Sequence, residues 1–136
     1  MTETVLDASV VLKWFRADGE RHLEPARSLR TKFEAGELIV VAPPLLHLEI
    51  LNVAGRRWRW SQGALVDLSA ALEDLNFELI EPELGRVASW TGRGLTAYDA
   101  AYVAIAEAHH TPLVTDDDLV IAIAGDITTA LAETRP

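Results

Sequence analysis

Thr4-Val5-Leu6-Asp7-Ala8-Ser9-Val10-Val11-Leu12-Lys13-Trp14-Phe15 is the stretch on which the fold turns. Thr4-Val5-Leu6 is a short β-prone run that ends in an acid. From Ala8 onward, the apolar residues Val11, Leu12 and Phe15 recur at three- and four-residue spacing, which predicts a helix. The segment therefore reads as a strand, a tight turn and a helix, with Asp7 at the junction.

The same alternation continues along the chain. An amphipathic helix is predicted over Leu23 to Ala35 and stops at Gly36; the apolar run Leu38-Ile39-Val40-Val41 follows, closed by Pro43-Pro44. A run of that kind is what a parallel strand buried on both faces looks like. Leu45 to Trp60 reads as a helix ended by Ser61-Gln62-Gly63, Ala64 to Leu75 as another, and Phe77-Glu78-Leu79-Ile80 as a strand. After Pro82 the pattern predicts a short helix to about Thr91, a turn at Gly92-Arg93-Gly94 and a small-residue helix over Ala97 to His109. Leu113-Val114-Thr115 is the next strand, an apolar stretch runs to Ala124, and Ile127 to Thr129 is an edge-strand candidate. Strands alternating with helices predict an α/β sandwich with a mainly parallel sheet.

Composition narrows the chemistry. A chain of 136 residues that is 49% hydrophobic fits one domain spanning positions 1–136 with one core. There is no cysteine, so disulfides and thiolate metal sites are excluded. The N-terminus lacks a basic stretch followed by an apolar run, and no stretch is long enough to span a bilayer, so a cytoplasmic protein without a membrane role is expected. The formal net charge of -9 opposes nucleic-acid binding on long-range electrostatics. That opposition weakens if carboxylates neutralise bound cations, if arginines gather on one face, or if a basic partner chain binds.

The acids are placed to converge. Ligands of open α/β sheets bind beyond the carboxyl ends of the strands. Asp7 and the run Asp116-Asp117-Asp118 follow strands directly. Asp99 lies in the first turn of a helix that begins at that same edge, and Glu49 in the opening turns of the helix after the Leu38 to Val41 strand. Clustered carboxylates raise one another's pKa, a penalty that a hard cation removes. With only oxygen ligands on offer, Mg²⁺ or Mn²⁺ is the expected ion. Such an ion would support hydrolysis of a phosphodiester without a protein nucleophile.

Each acid also has a simpler explanation. Asp7 is well placed to cap the helix that follows it. Thr96-Ala97-Tyr98-Asp99 matches a capping box with Asp in the usual place of Glu, which for Asp99 taken singly favours a cap. One of Asp116, Asp117 and Asp118 is expected to cap the next helix. Glu49 resists this treatment, because its neighbours in Leu45-Leu46-His47-Leu48-Glu49-Ile50-Leu51 are almost all apolar. His47 reads as a polar position on the helix surface, and His109-His110 as a favourable charge at a helix C-terminus. In Arg56-Arg57-Trp58-Arg59-Trp60 the tryptophans read as core or dimer contacts. Arg56, Arg57 and Arg59 stand open between RNA or partner contacts and a helix end.

Taken in order, Val5-Leu6-Asp7-Ala8-Ser9-Val10, Glu49-Ile50-Leu51-Asn52, Leu95 to Tyr102 and Pro112-Leu113-Val114-Thr115-Asp116-Asp117 resemble the PIN-domain ribonucleases, in particular the bacterial VapC toxins of toxin-antitoxin pairs. The resemblance spans nearly the whole chain. It implies a three-layer α/β/α fold, Mg²⁺- or Mn²⁺-dependent RNA cleavage, a homodimer, and inhibition by a small cognate antitoxin. By position it makes Asp7, Glu49, Asp99 and Asp117 the catalytic, metal-binding acids, supported by Ser9, Thr115 and Asn52. The triple Asp departs from the family pattern, which selects Asp117 while leaving Asp116 or Asp118 able to share the role. Three other readings compete with this one. A response-regulator receiver needs a late-strand lysine, and the only lysines are Lys13 and Lys32; a Toprim-like module leaves Asp7 and Asp99 unexplained. A catalytically inactive PIN-like domain that binds a basic partner chain is the alternative.

Overall fold

Val5, Leu6, Val41 and Leu113 have no exposed surface, as strands covered by helices on both faces require. The computed structural model describes residues 1–134. In chain order the elements are β1 (Thr2–Leu6), α1 (Ala8–Phe15), α2 (Leu23–Glu34), β2 (Leu38–Ala42), α3 (Leu45–Arg56), α4 (Gln62–Asp74), β3 (Glu78–Leu79), α5 (Leu84–Gly92), α6 (Ala97–His109), β4 (Leu113–Thr115), α7 (Asp118–Ile123) and β5 (Thr128–Ala130), closed by a 3-10 turn over Leu131–Glu133.

The sheet has the order β3-β2-β1-β4-β5, and every pairing within it is parallel. The expected sandwich is thus present, with a sheet that is parallel throughout rather than mainly so. From β1 the chain steps outward to β2 and β3, then crosses back to β4 and β5. Right-handed crossovers place α1 to α4 on one face and α5 to α7 on the other. The direction of winding reverses between β1 and β4, so a crevice opens beyond their carboxyl ends. Asp7 follows β1 there, and Asp116 follows β4.

Two elements position that edge. Helix α6 buries seven consecutive residues from Ala100 to Ala106; the four alanines of that run let the backbone approach the sheet closely, with Tyr102 the one large polar-tipped side chain in it. Opposite, α1 and α2 cover an aromatic cluster in which Trp14, Phe33 and Phe77 lie with ring centroids 5.1 to 5.9 Å apart.

One helix is shorter than its sequence pattern suggests. The helix expected to reach Trp60 ends at Arg56. Arg59 adopts a left-handed backbone with φ of 61°, and the amides of Trp58 and Trp60 bond back to the carbonyls of Val53 and Ala54. This turn folds both tryptophans against the core instead of continuing the helix. The apolar periodicity was real, but it reported burial rather than helix.

Candidate active site

Asp7, Ser9, Glu49, Asn52, Asp99, Tyr102 and Asp117 line one cavity of about 240 Å³ at the crevice between β1 and β4. Four separate segments supply its acids. A larger cavity of about 580 Å³ lies at the opposite edge of the sheet, where Arg86, Glu107, His110 and Asp126 line it. Arg86 there is already paired with Glu83 and Glu107, whereas the smaller cavity is the one that gathers Asp7, Glu49, Asp99 and Asp117.

Asp7 is the most enclosed of the acids, at 6% exposed. It caps α1: its Oδ1 accepts from the Ser9 N–H at 3.1 Å and from the Ser9 hydroxyl at 2.5 Å. Its Oδ2 accepts, among the described residues, from the Thr115 hydroxyl alone. Each carboxylate oxygen has room for about two hydrogen bonds, so Oδ1 is filled and Oδ2 keeps a free acceptor position. Asp117 repeats the arrangement at α7, where its Oδ1 accepts from Leu119 N–H at 2.9 Å and Val120 N–H at 3.0 Å. In both cases capping occupies one oxygen and leaves the other available.

Asp99 is less of a cap than its motif suggests. The Asp99 N–H donates to Thr96 Oγ1 at 3.1 Å, but among the described residues no bond returns from the Thr96 N–H to the Asp99 carboxylate. Half the capping box forms, and the carboxylate, which also feels the Thr96 side chain, lines the cavity. Glu49 finds the partner that its apolar surroundings demand: the hydroxyl of Tyr102, itself 1% exposed, donates to Glu49 Oε1 at 2.5 Å. Sequence reasoning passed over Tyr102, although it stands three residues after Asp99 and so on the same helix face.

These carboxylates resist ionisation together. Burial raises the Asp7 carboxyl to about 6, against the lowering effect of its Ser9 and Thr115 bonds, and the charges of Asp99 and Asp117 push it the same way. Burial likewise lifts Glu49 and Asp99 above the ordinary carboxylate range, with the neighbouring charge adding to each. Because Asp7 holds its proton more tightly folded than unfolded, its contribution to stability is present in full below pH ~4 and is lost as the pH rises through about 6. Relative to Asp7→Asn, the metal-free wild type is expected to lose roughly 3 kcal/mol across that window, at ~1.36 kcal/mol per unit. Urea unfolding of both proteins at pH 4 and pH 7 in EDTA measures it, and a constant difference would contradict the burial argument.

The other two acids of the triple run face elsewhere. Asp116 turns away from the cavity: its Oδ1 accepts from His22 Nδ1 at 2.8 Å, and its Oδ2 stands 3.1 Å from the Lys13 ammonium and 3.4 Å from Arg21 Nε. Burial pushes the Asp116 carboxyl up, but the hydrogen bonds from His22 and Lys13 and the charges of Lys13 and Arg21 outweigh it and hold the group below its usual range. Asp118 is exposed and lies 3.5 Å from Arg21. Of Asp116, Asp117 and Asp118, Asp117 alone lines the cavity.

The arginine segment lies beside the cavity rather than in it. Arg56 lines a groove with Leu48, Leu51, Asn52 and Leu65, so Asn52 borders both depressions. Arg57 and Arg59 are exposed. Trp58 is partly buried against the core with the Arg16 guanidinium 5.3 Å from its ring centre. His47 does not reach the cavity; its Nε2 is buried without a partner among the described residues, and burial disfavours its charged form.

The charged donors fit a hard divalent cation: all four are carboxylates, Asp7, Glu49, Asp99 and Asp117, with a free acceptor position on Asp7 Oδ2 and a second oxygen on Glu49 and Asp117 beyond the one bonded at Tyr102 and at the α7 N-terminus. Among the described residues no three ligating groups already stand at metal-binding distance from one point.

Comparison with known proteins places this geometry in context. A sequence model of the PIN domain matches residues 4–125. A crystal structure of the protein PAE2754 from Pyrobaculum aerophilum is similar at a TM-score of 0.66 and 24% identity, covering 96% of this chain and 91% of that one. The Mycobacterium tuberculosis toxin VapC20, described as cleaving the sarcin-ricin loop, is similar at a TM-score of 0.66 and 16% identity, covering 98% of this chain and 99% of that one. No curated protein sequence matches the chain.

Proposed function

We propose that this chain, which belongs to the PIN-domain family, is a metal-dependent endoribonuclease that hydrolyses RNA phosphodiester bonds as the toxin of a toxin-antitoxin pair. The observation that carries this reading is the convergence of Asp7, Glu49, Asp99 and Asp117 on one cavity at the reversal point of the sheet. The likeness of fold to a toxin described as cleaving the sarcin-ricin loop is consistent with it. No helix among the described residues is long and apolar enough to cross a membrane; we place the protein in the cytoplasm, as a homodimer.

Mg²⁺ or Mn²⁺, when bound, would supply a Lewis acid and a water of lowered pKa for in-line displacement at phosphorus. The residues of the chain prepare for this. Asp7 and Asp117 keep an oxygen directed at the cavity because the other is tied to a helix N-terminus. Ser9 and Thr115 hold the orientation of Asp7, and Tyr102 holds that of Glu49. Asn52 stands at the mouth, and Arg56 beside it is positioned to meet an RNA phosphate or the acidic end of a partner, with Arg57 and Arg59 further out. Charge neutralisation at the cavity also answers the objection raised by the net charge of -9. A small antitoxin with a basic segment is the inhibitor that such a surface would accept.

The test is incubation of the purified protein with RNA in EDTA, in Mg²⁺ and in Mn²⁺, with sequencing of the RNA ends produced. Cleavage confined to the metal samples is expected. A folded protein that cuts no RNA with either metal would instead support the binding-only alternative.

Tyr102→Phe probes the support of Glu49. Removing the hydroxyl leaves Glu49 Oε1 without its donor and raises the Glu49 pKa further, since that bond favours the ionised form. Loss of a partner to a metal ligand typically costs about 10–100-fold in activity or metal affinity. Cleavage is expected to fall by that amount and its acid limb to move to higher pH. An unchanged pH-rate profile would show that Tyr102 serves packing alone.

A further inference from the structure

The cavity accounts for Asp117 but not for the care taken over its neighbours. Lys13 sits on α1 with its side chain 3% exposed, although an ammonium is among the costliest groups to bury and lysine is ordinarily a surface residue. It is matched by two carboxylates, Glu20 at 3.0 Å and Asp116 at 3.1 Å. Ser9 and Lys13 are four residues apart on α1 and so share a face. Both engage Asp116: the Asp116 N–H donates to Ser9 Oγ at 2.9 Å, while its carboxylate takes the ammonium.

The grip extends to both sides of Asp117. His22 and Arg21, from the connection between α1 and α2, add bonds to the Asp116 carboxylate, and Arg21 also reaches the Asp116 carbonyl at 3.3 Å. The same guanidinium pairs with Asp118. The acids on either side of Asp117 are thus drawn toward the α1–α2 connection. Asp117 itself is tied inward, its N–H donating to Thr115 Oγ1 at 3.1 Å, and that hydroxyl in turn donates to Asp7.

We propose that Lys13, with Arg21 and His22, positions the metal site: by holding the Asp116 carboxylate outside the acidic cavity it fixes the β4–α7 connection so that Asp117 alone of the three acids faces Asp7 and Asp99. Lys13 touches neither substrate nor cation in this role; it acts through Asp116. The proposal rests on reading the cavity as a metal site, so its test includes a measurement made without metal.

Lys13→Met removes the ammonium and keeps most of the aliphatic stem. Asp116→Asn approaches the same pair from the other side without emptying space, and carries the same measurements if Lys13→Met fails to fold. In metal-free protein, amide hydrogen exchange at Asp116 and Asp117 is expected to accelerate at least about tenfold, while Val5 and Val114 in the strands stay protected. Calorimetric titration with Mn²⁺ alone is expected to show affinity weakened by about tenfold or more. Exchange that rises evenly over the whole chain with Mn²⁺ affinity unchanged would make Lys13 an ordinary buried ion pair and overturn the proposal, as would wild-type behaviour in both measurements. If wild-type protein binds no Mn²⁺ and cuts no RNA, the nuclease reading falls, while the exchange data still decide whether Lys13 fixes this connection.

Discussion

Asp7→Asn is expected to lower RNA cleavage by at least ~10³-fold, a loss of about 4 kcal/mol of transition-state stabilisation, with the fold intact. The substitution keeps the shape of the side chain. Its amide oxygen can still accept from Ser9 N–H, so the cap on α1 survives, and the Thr115 hydroxyl can turn to accept from the new NH₂ group. What disappears is one negative charge at the most enclosed position of the cavity, where Asp7 is 6% exposed. A charge held in such a place is costly to the folded state and useful only to a bound cation. The variant should therefore be inactive yet no less stable than wild type in EDTA at neutral pH, a combination that simple structural damage cannot produce. Asp99→Asn should behave likewise, because its carboxylate supplies no cap to α6. Unchanged cleavage by both variants would sink the assignment of the site.

Millimolar Mn²⁺ or Mg²⁺ should raise the melting temperature of the wild type substantially. A cation that binds only the native state adds about 2.7 kcal/mol when present at a hundred times its dissociation constant. At roughly 3–5 °C per kcal/mol for a domain of this size, a shift of about 10 °C is expected. The carboxylates that raise one another's pKa supply the driving force, since the cation relieves the repulsion between Asp7, Asp99 and Asp117. The shift should shrink in Asp7→Asn and Asp99→Asn, and should also shrink at pH 5, where protons compete for Asp7. A flat melting curve series across metal concentrations would exclude a metal site in this cavity.

The parts of the fold that could be read from residues alone are those governed by local periodicity. The β1–α1 junction, α6 and β4 emerge where expected because their apolar spacing has only one favourable burial. The β5 strand is displaced by one residue, to Thr128–Ala130. Helix α3 ends at Arg56 rather than at Trp60 because a left-handed residue at Arg59 diverts Trp58 and Trp60 onto the core. Lys13 escaped notice for a different reason. A lysine among Val10, Val11, Leu12, Trp14 and Phe15 carries the same signal as Glu49 among leucines, a charge where none should be buried without partners. Its partners, Glu20 and Asp116, come from a loop and from a strand end over a hundred residues away.

The candidate site divides along the same line. Placement of acids at the carboxyl ends of parallel strands follows from the alternation of strands and helices, because a right-handed crossover leaves little choice of topology. Whether Asp7 and Asp117 cap a helix or serve the cavity was posed as an alternative, and the geometry dissolves it, since a carboxylate has two oxygens and each acid commits one to the helix. Sorting Asp116, Asp117 and Asp118 lay beyond any local pattern. Adjacent side chains on an irregular backbone point where their partners draw them, and here Lys13, Arg21, His22 and Ser9 arrive from the far end of the chain, beside the neighbouring Thr115, to set the direction of each.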